Sequence, residues 1–319
     1  LGCDALYKRS ADAVLFGGVN RADALYTQMG FSALGALSSR GRCTPFDQAA
    51  DGLVVGEGAA IFMLKREADA LACGDRILAR VAGVGVSNDL GGSLMAPDSE
   101  GQLRAMRAAY ENARWEPSSV ELIECHGTGT PVGDATEVRS LQALWGQCRK
   151  GPVIGSVKGN VGHLLTGAGA AALAKVLLAI EHETLPPTAG FTAPGSKLAP
   201  FEVLSAPRPR DMNSSRMRAA VSAFGFGGIN AHVLLEGPGE RPDRVGTSYT
   251  PRGSQDRIAL VGIGAHVGLW PNREAVLARL LDPTKVPPAP ARNWLEHPQA
   301  TEFPGYYIDS VSLPATRLS

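Results

Sequence analysis

Residues 155–180 read GSVKGNVGHLLTGAGAAALAKVLLAI. Glycines at 155, 159 and 162 loosen the first part, so Ser156–His163 reads as a loop. The run from Leu164 to Ile180 is apolar on nearly every side, with Lys175 as its one charge, and reads as a helix packed all round. Its Gly and Ala content and the internal lysine argue against a membrane span. A loop feeding a helix of this kind needs layers on both sides to bury it, which points to an α/β body.

The flanks agree. Val153–Val157 reads as a short strand entering the loop, and VELIECHG (120–127) as another ending in a histidine loop. Between them Asp134-Ala-Thr-Glu137 has an acceptor followed three residues on by a carboxylate. That pattern predicts a helix starting at Asp134 with a capping box and running to about Trp145. Further out, ADAVLFGGVN (11–20) reads as a strand running into a glycine turn, LVVGEGAAIFMLKR (53–66) as a glycine-broken strand or hairpin, RILARVAGVGVSND (76–89) as a strand with its exit loop, and Glu100–Arg114 as an amphipathic helix. AAVSAFGFGGINAHVLLE (219–236) reads as strand, glycine turn and strand.

After Glu236 the composition changes. Residues 237–256 are rich in Gly, Pro and charge and read as a linker, while RIALVGIG (257–264) and Arg273–Leu281 read as the opening strand and helix of a second domain over 257–319. VGIGAHVG (261–268) places its third glycine one residue late for a dinucleotide loop. Leu1 falls inside an apparent helix and the last segment looks unfinished, so the chain is expected to be part of something longer.

The sequence has 319 residues, 44% of them apolar, and a formal net charge of zero, which describes a soluble globular protein of about two domains. No basic run interleaved with aromatics appears, so nucleic acid is not an expected partner. Five cysteines (Cys3, Cys43, Cys73, Cys125, Cys148) show no CxxC spacing, so neither a disulfide framework nor a metal site is expected. A reducing, cytoplasmic setting fits them.

The chemistry sits at element boundaries. His126 closes a strand in Cys125-His-Gly-Thr128-Gly-Thr130, and His163 ends the loop Lys158-Gly-Asn160-Val-Gly-His163. Either imidazole alone is as readily a hydrogen-bonded core residue as a catalytic one. The two together, with the turn Phe224-Gly-Phe226-Gly227-Gly228, point to a site where a ligand approaches backbone. Cys125 beside His126 is a weak nucleophile–base candidate, because adjacent strand residues face opposite ways.

HGTGTPVGDATE (126–137), GSVKGNVGHLLTGAG (155–169) and SAFGFGGINAHVLLE (222–236) resemble, in order, three signatures of β-ketoacyl synthases of the fatty-acid and polyketide type. The resemblance runs from residue 1 to about Glu236. It implies a thiolase-like layered α/β/α/β/α fold, present here in part with its N-terminal half truncated. It also implies decarboxylative Claisen condensation of malonyl and acyl thioesters borne on the phosphopantetheine of an acyl carrier protein, with no metal or redox cofactor. His126 and His163 then match the enolate-stabilising pair, Lys158 the lysine that sets their site, and Glu137 its acidic partner. Thr128 and Thr130 match hydroxyls that hold the phosphopantetheine arm. Phe226 matches the gating aromatic, with Phe224, Gly227 and Gly228 completing its turn. Cys3 matches a position about three helical turns past the family's nucleophilic cysteine, so none of the five cysteines is that nucleophile and the isolated chain is expected to be inactive in condensation. Two rivals remain: a non-elongating ketosynthase or scaffold, and a thiolase-fold enzyme acting on coenzyme A. RIALVGIG resembles the first strand of another ketosynthase, but AHVGLWPN (265–272) departs from the usual continuation, which suggests a chain-length-factor-like partner. Homodimer or pseudo-dimer assembly follows from the same resemblance.

Overall fold

The computed structural model describes residues 1–21, 25–91, 97–146, 148–211, 216–238, 257–282, 284, 306 and 308. The chain opens with α1 (Gly2–Tyr7), β1 (Ala13–Asn20), α2 (Leu25–Ala33), β2 (Gly58–Arg66), α3 (Glu67–Cys73), β3 (Ala79–Asn88) and α4 (Ser99–Ala113). The middle carries β4 (Leu122–Glu124), α5 (Pro131–Trp145), β5 (Val153–Gly155), α6 (Lys158–Val161) and α7 (Ala168–Glu181). Then come β6 (Thr184–Leu185), β7 (Glu202–Val203), β8 (Arg208–Pro209), β9 (Arg218–Gly225), β10 (Ile229–Glu236), β11 (Ile258–Val267) and α8 (Arg273–Leu281).

Nine strands form one sheet in the order β1-β2-β11-β3-β10-β9-β4-β5-β7, and β6 pairs separately with β8. Strand side chains alternate between faces, and the core divides accordingly. Leu122, Val153, Val221 and Leu235 point toward α7 and its neighbours, while Ile123, Ile154, Ala220 and Leu234 point toward Met106, Tyr110, Leu141 and Trp145 of α4 and α5. The helix predicted from its all-round apolarity is α7, buried from Ala170 through Ile180. The opposite helix α4 is capped by Asp98, whose carboxylate accepts from Glu100 N–H, and ends where Arg114 turns left-handed. It lies so close to β3 that a Cβ on Gly85 would stand 1.9 Å from the Ala105 carbonyl oxygen. Glycine there is a condition of the layer spacing.

Two expectations shift. The stretch from Leu53 does not enter the sheet until Gly58; Leu53, Val55 and Gly56 instead make isolated bridges to Leu37, His163 and Tyr306. Residues 258–267, expected to open a second domain, form β11 inside this same sheet, antiparallel to β2 along its length and to β3 over Ile258–Leu260. Val276 and Leu280 of α8 join the same core. Most of the expected linker, residues 239–256, lies outside the described residues. Among the described residues, no helix is long and apolar enough to cross a membrane.

Candidate active site

The helix following the first histidine loop starts a turn earlier than the capping-box pattern predicted. Its first residue is Pro131, whose fixed φ suits the first helical position, and Thr130 occupies the cap without a side-chain cap bond. Asp134 and Glu137 therefore stand inside the first turns, and their carboxylates reach back to the loop rather than to their own helix. Asp134 accepts from the N–H groups of Thr128 (3.0 Å), Gly129 (3.2 Å) and Phe46 (2.7 Å). Glu137 accepts from those of His126 and Gly127, both at 2.8 Å. Two carboxylates thus hold four successive loop amides, and the sharp turn is allowed by Gly127 and Gly129 at positive φ. Asp134 was legible only as a cap; its hold on the loop was not.

The second histidine loop is a short helical turn, α6, followed by Gly162 and His163. The two loops are sewn together at their roots. Cys125 N–H donates to the Gly155 carbonyl and the Ser156 hydroxyl to the Gly127 carbonyl. Buried Lys158 extends its ammonium to the His126 carbonyl oxygen. Among the described residues no ion pair joins Lys158 to Glu137: the two meet through the His126 backbone, with the lysine on its carbonyl and the carboxylate on its amide.

The imidazoles of His126 and His163 face each other edge to face with ring centres 5.5 Å apart. Leu165 N–H donates to His163 Nδ1 at 2.9 Å, and Phe224 N–H to His126 Nδ1 at 3.3 Å. Each ring accepts at Nδ1, so in its neutral form it carries its proton on Nε2. Desolvation, with the nearby Lys158 cation, pushes both histidines well below their ordinary range. They are neutral Nε2–H donors at pH 7. The same burial pushes Glu137 up to about 7 and Asp134 up to about 6.

The other sequence candidates lie on the first histidine loop and on the β9–β10 turn. Phe224 packs 5.6 Å from His126. Phe226, at the tip of the β9–β10 turn, is 55% exposed and leans on Phe31 at 5.5 Å. Gly227 and Gly228 both take positive φ, which that turn requires. The hydroxyls of Thr128 and Thr130 meet at 2.8 Å. Cys125 does not belong to the site: it is fully buried in the core with Ile123 and Leu141, so the nucleophile–base reading of Cys125 and His126 fails on geometry.

This geometry coincides with matches along the sequence. Residues 1–70 match the N-terminal domain of β-ketoacyl synthase and residues 78–192 its C-terminal domain. The chain belongs to the β-ketoacyl synthase family. The ketosynthase is 40% identical over 245 residues to a phenolphthiocerol/phthiocerol polyketide synthase of Mycobacterium tuberculosis, a match covering 74% of this chain and 13% of that protein. Among solved structures it resembles the ketosynthase from module 6 of the bacillaene synthase of Bacillus subtilis 168, with a TM-score of 0.71 and 36% identity over 74% of this chain and 44% of that one. It also resembles a PfaC keto synthase–chain length factor, with a TM-score of 0.69 and 36% identity over 78% of this chain and 27% of that one. The ketosynthase spans less than half the length of each of these relatives. The fold is thiolase-like, of the polyketide-synthase type, as the three motifs implied.

Glu137 gives the site a pH dependence. When ionised it accepts from both loop amides; protonation withdraws one of these acceptors. The rate of any reaction that depends on this loop is therefore expected to rise with pH through about 7, and Glu137→Gln should abolish that step in a pH–rate profile. A step that survives the substitution would assign it elsewhere. Stability runs the other way. The folded-state value lies above the ordinary 4.5, so folding favours the protonated form, and this group's contribution to stability falls as pH rises from 4.5 to about 7.

Proposed function

We propose that this ketosynthase promotes decarboxylation of a malonyl thioester and, with a cysteine nucleophile that is none of the five in this sequence, the Claisen condensation that follows in polyketide or fatty-acid assembly. The observation that carries the reading is the pair of neutral imidazoles, each with Nδ1 occupied by a backbone N–H and Nε2–H left to donate. The malonyl group arrives on the phosphopantetheine of an acyl carrier protein, its arm held by the hydroxyls of Thr128 and Thr130. As CO2 leaves, the bonding pair moves onto the α-carbon and negative charge collects on the thioester oxygen. His126 and His163 donate to that oxygen, which is where preorganised donors lower a barrier most. The enolate carbon then attacks the acyl thioester on the cysteine, a carbon–carbon bond forms, and the thiolate leaves. Phe226 gates the acyl chain, and its amide helps hold the acyl carbonyl oxygen. Lys158 and Glu137 keep the His126 peptide in place. These steps balance without a metal or redox group.

Release of CO2 from malonyl-carrier protein by the chain tests the reading. Turnover of malonyl-coenzyme A in preference to the carrier-bound substrate would favour the coenzyme A rival, and no release from either would favour a silent scaffold.

The finer proposal is that the sequence from Arg257, whose first strand closes the ketosynthase sheet as β11, leads on into a chain-length-factor-like partner that stands in for the second subunit of a homodimer. The likeness to the PfaC keto synthase–chain length factor and the unusual AHVGLWPN continuation support it. A chain carrying the whole partner is expected to sediment as a monomer. A dimer of two such chains joined through their ketosynthase bodies would sink the idea.

A further inference from the structure

Glu124 and Lys175 are 0% and 1% exposed, and their charges meet at 2.8 Å inside the core. Lys175 projects from the middle of α7, whose other buried residues are alanine, leucine, valine and isoleucine. An ion pair in such a place is not a cheap way to stabilise a fold: apolar replacements of similar volume are often neutral or better. Its location is informative. Glu124 is the last residue of β4, two before His126, and its second oxygen accepts from the N–H of Val157, the residue before Lys158. Lys175 lies on the helix that the His163 loop feeds. The pair therefore joins the three elements that carry His126, Lys158 and His163, at the point where they converge.

We infer that Glu124 and Lys175 are a positioning pair for the histidine site, fixing the Lys158 turn against the His126 strand and supplying the negative charge that faces the Lys158 ammonium from β4. This rests on the reading of the site given above and deepens it. The other groups facing Lys158 are Glu137 and Asp134 from α5 and Cys43 from the loop after α2, with His126 and His163 beside it. Glu124 heads the charges that favour the protonated lysine against its burial. Without it, the protonated form of Lys158 is less favoured, its hold on the His126 carbonyl weakens, and the imidazole shifts with its loop.

The test is the neutral pair Glu124→Gln with Lys175→Met, which removes both charges together and leaves no buried ion without its partner. Lysine side chains labelled with 13C report the Lys158 titration by NMR without any need for activity, so this readout stands even if the decarboxylase reading fails. Lys158 is expected to titrate at lower pH in the double variant than in the parent, at near-parental thermal stability. In parallel, kcat for CO2 release should fall about tenfold or more with KM little changed, since displacements on the order of 1 Å at such sites cost up to ~10²-fold. Should that variant fail to fold, Glu124→Gln with Lys175→Gln keeps a hydrogen bond across the gap and serves the same comparison. An unaltered Lys158 titration, or failure of both neutral pairs to fold, would leave the pair a part of the core alone and overturn the inference.

Discussion

Replacing either His126 or His163 by alanine is expected to lower malonyl decarboxylation by about 10²–10³, the usual loss when one preorganised donor is removed from a developing oxyanion. The expectation follows from how each ring is held. Backbone amides from Leu165 and Phe224 occupy the two Nδ1 atoms, so both rings are fixed and both protons sit on Nε2. Neither ring has to be reorganised when charge appears. Their low proton affinity is part of the same design, because an imidazolium would place a second N–H against the backbone donor at Nδ1. Labelled CO2 release measures the effect, and transfer of an acyl group to the nucleophile, followed separately in the full synthase, should be largely spared. Normal CO2 release by both variants would remove the histidines from the chemistry. His163→Gln is an informative companion, since its amide offers a donor without the ring.

The second large effect is an absence of product. The chain, however well folded, is expected to yield no ketoacyl product and no acyl adduct on any of its five cysteines when given acyl- and malonyl-carrier proteins. A cysteine nucleophile acts as thiolate, and the sites here oppose ionisation. Burial pushes Cys43 up to about 12, and pushes Cys125 well above its ordinary value, with Glu137, Glu124 and Asp134 adding to the effect. Burial raises Cys3 as well. Cys73 and Cys148 are exposed, and neither is among the groups that meet at the histidine pair. Intact-protein mass spectrometry and product analysis decide the matter. A stable acyl group on Cys125 accompanied by ketoacyl product would overturn the assignment of the nucleophile to a residue outside this sequence.

Much of the fold was legible because its signals are local. The buried helix announced itself by apolarity on every side, the β9–β10 hairpin by its glycine turn, and α4 by its period. What the sequence concealed depends on contacts distant along the chain. Asp134 and Glu137 obey a local capping rule on paper, yet Pro131 starts the helix a turn early and frees both carboxylates for the loop behind them. Nothing local marks Glu124 as the partner of Lys175, 51 residues away with α5, β5 and α6 between them. The two histidines were found through their motifs, but their tautomer came from amides 2 and 98 residues distant. The boundary drawn after Glu236 follows a true change in composition, and composition does not reveal which sheet the next strand enters.

That last point bears on how the chain can be divided. Because β11 lies between β2 and β3, a polypeptide ended at Glu236 would lose the rung-by-rung partner of β2 from Gly58 to Arg66. It would also expose the buried flank of β3 where Ile258–Leu260 had paired. Two facing strand edges would then lie open in the middle of a sheet rather than at its rim, where charge and proline ordinarily guard against edge-to-edge association. Such a truncation is a recipe for aggregates, whereas one ended beyond Leu281 keeps the seam closed. The place where composition invites a cut is the place where the architecture tolerates it least.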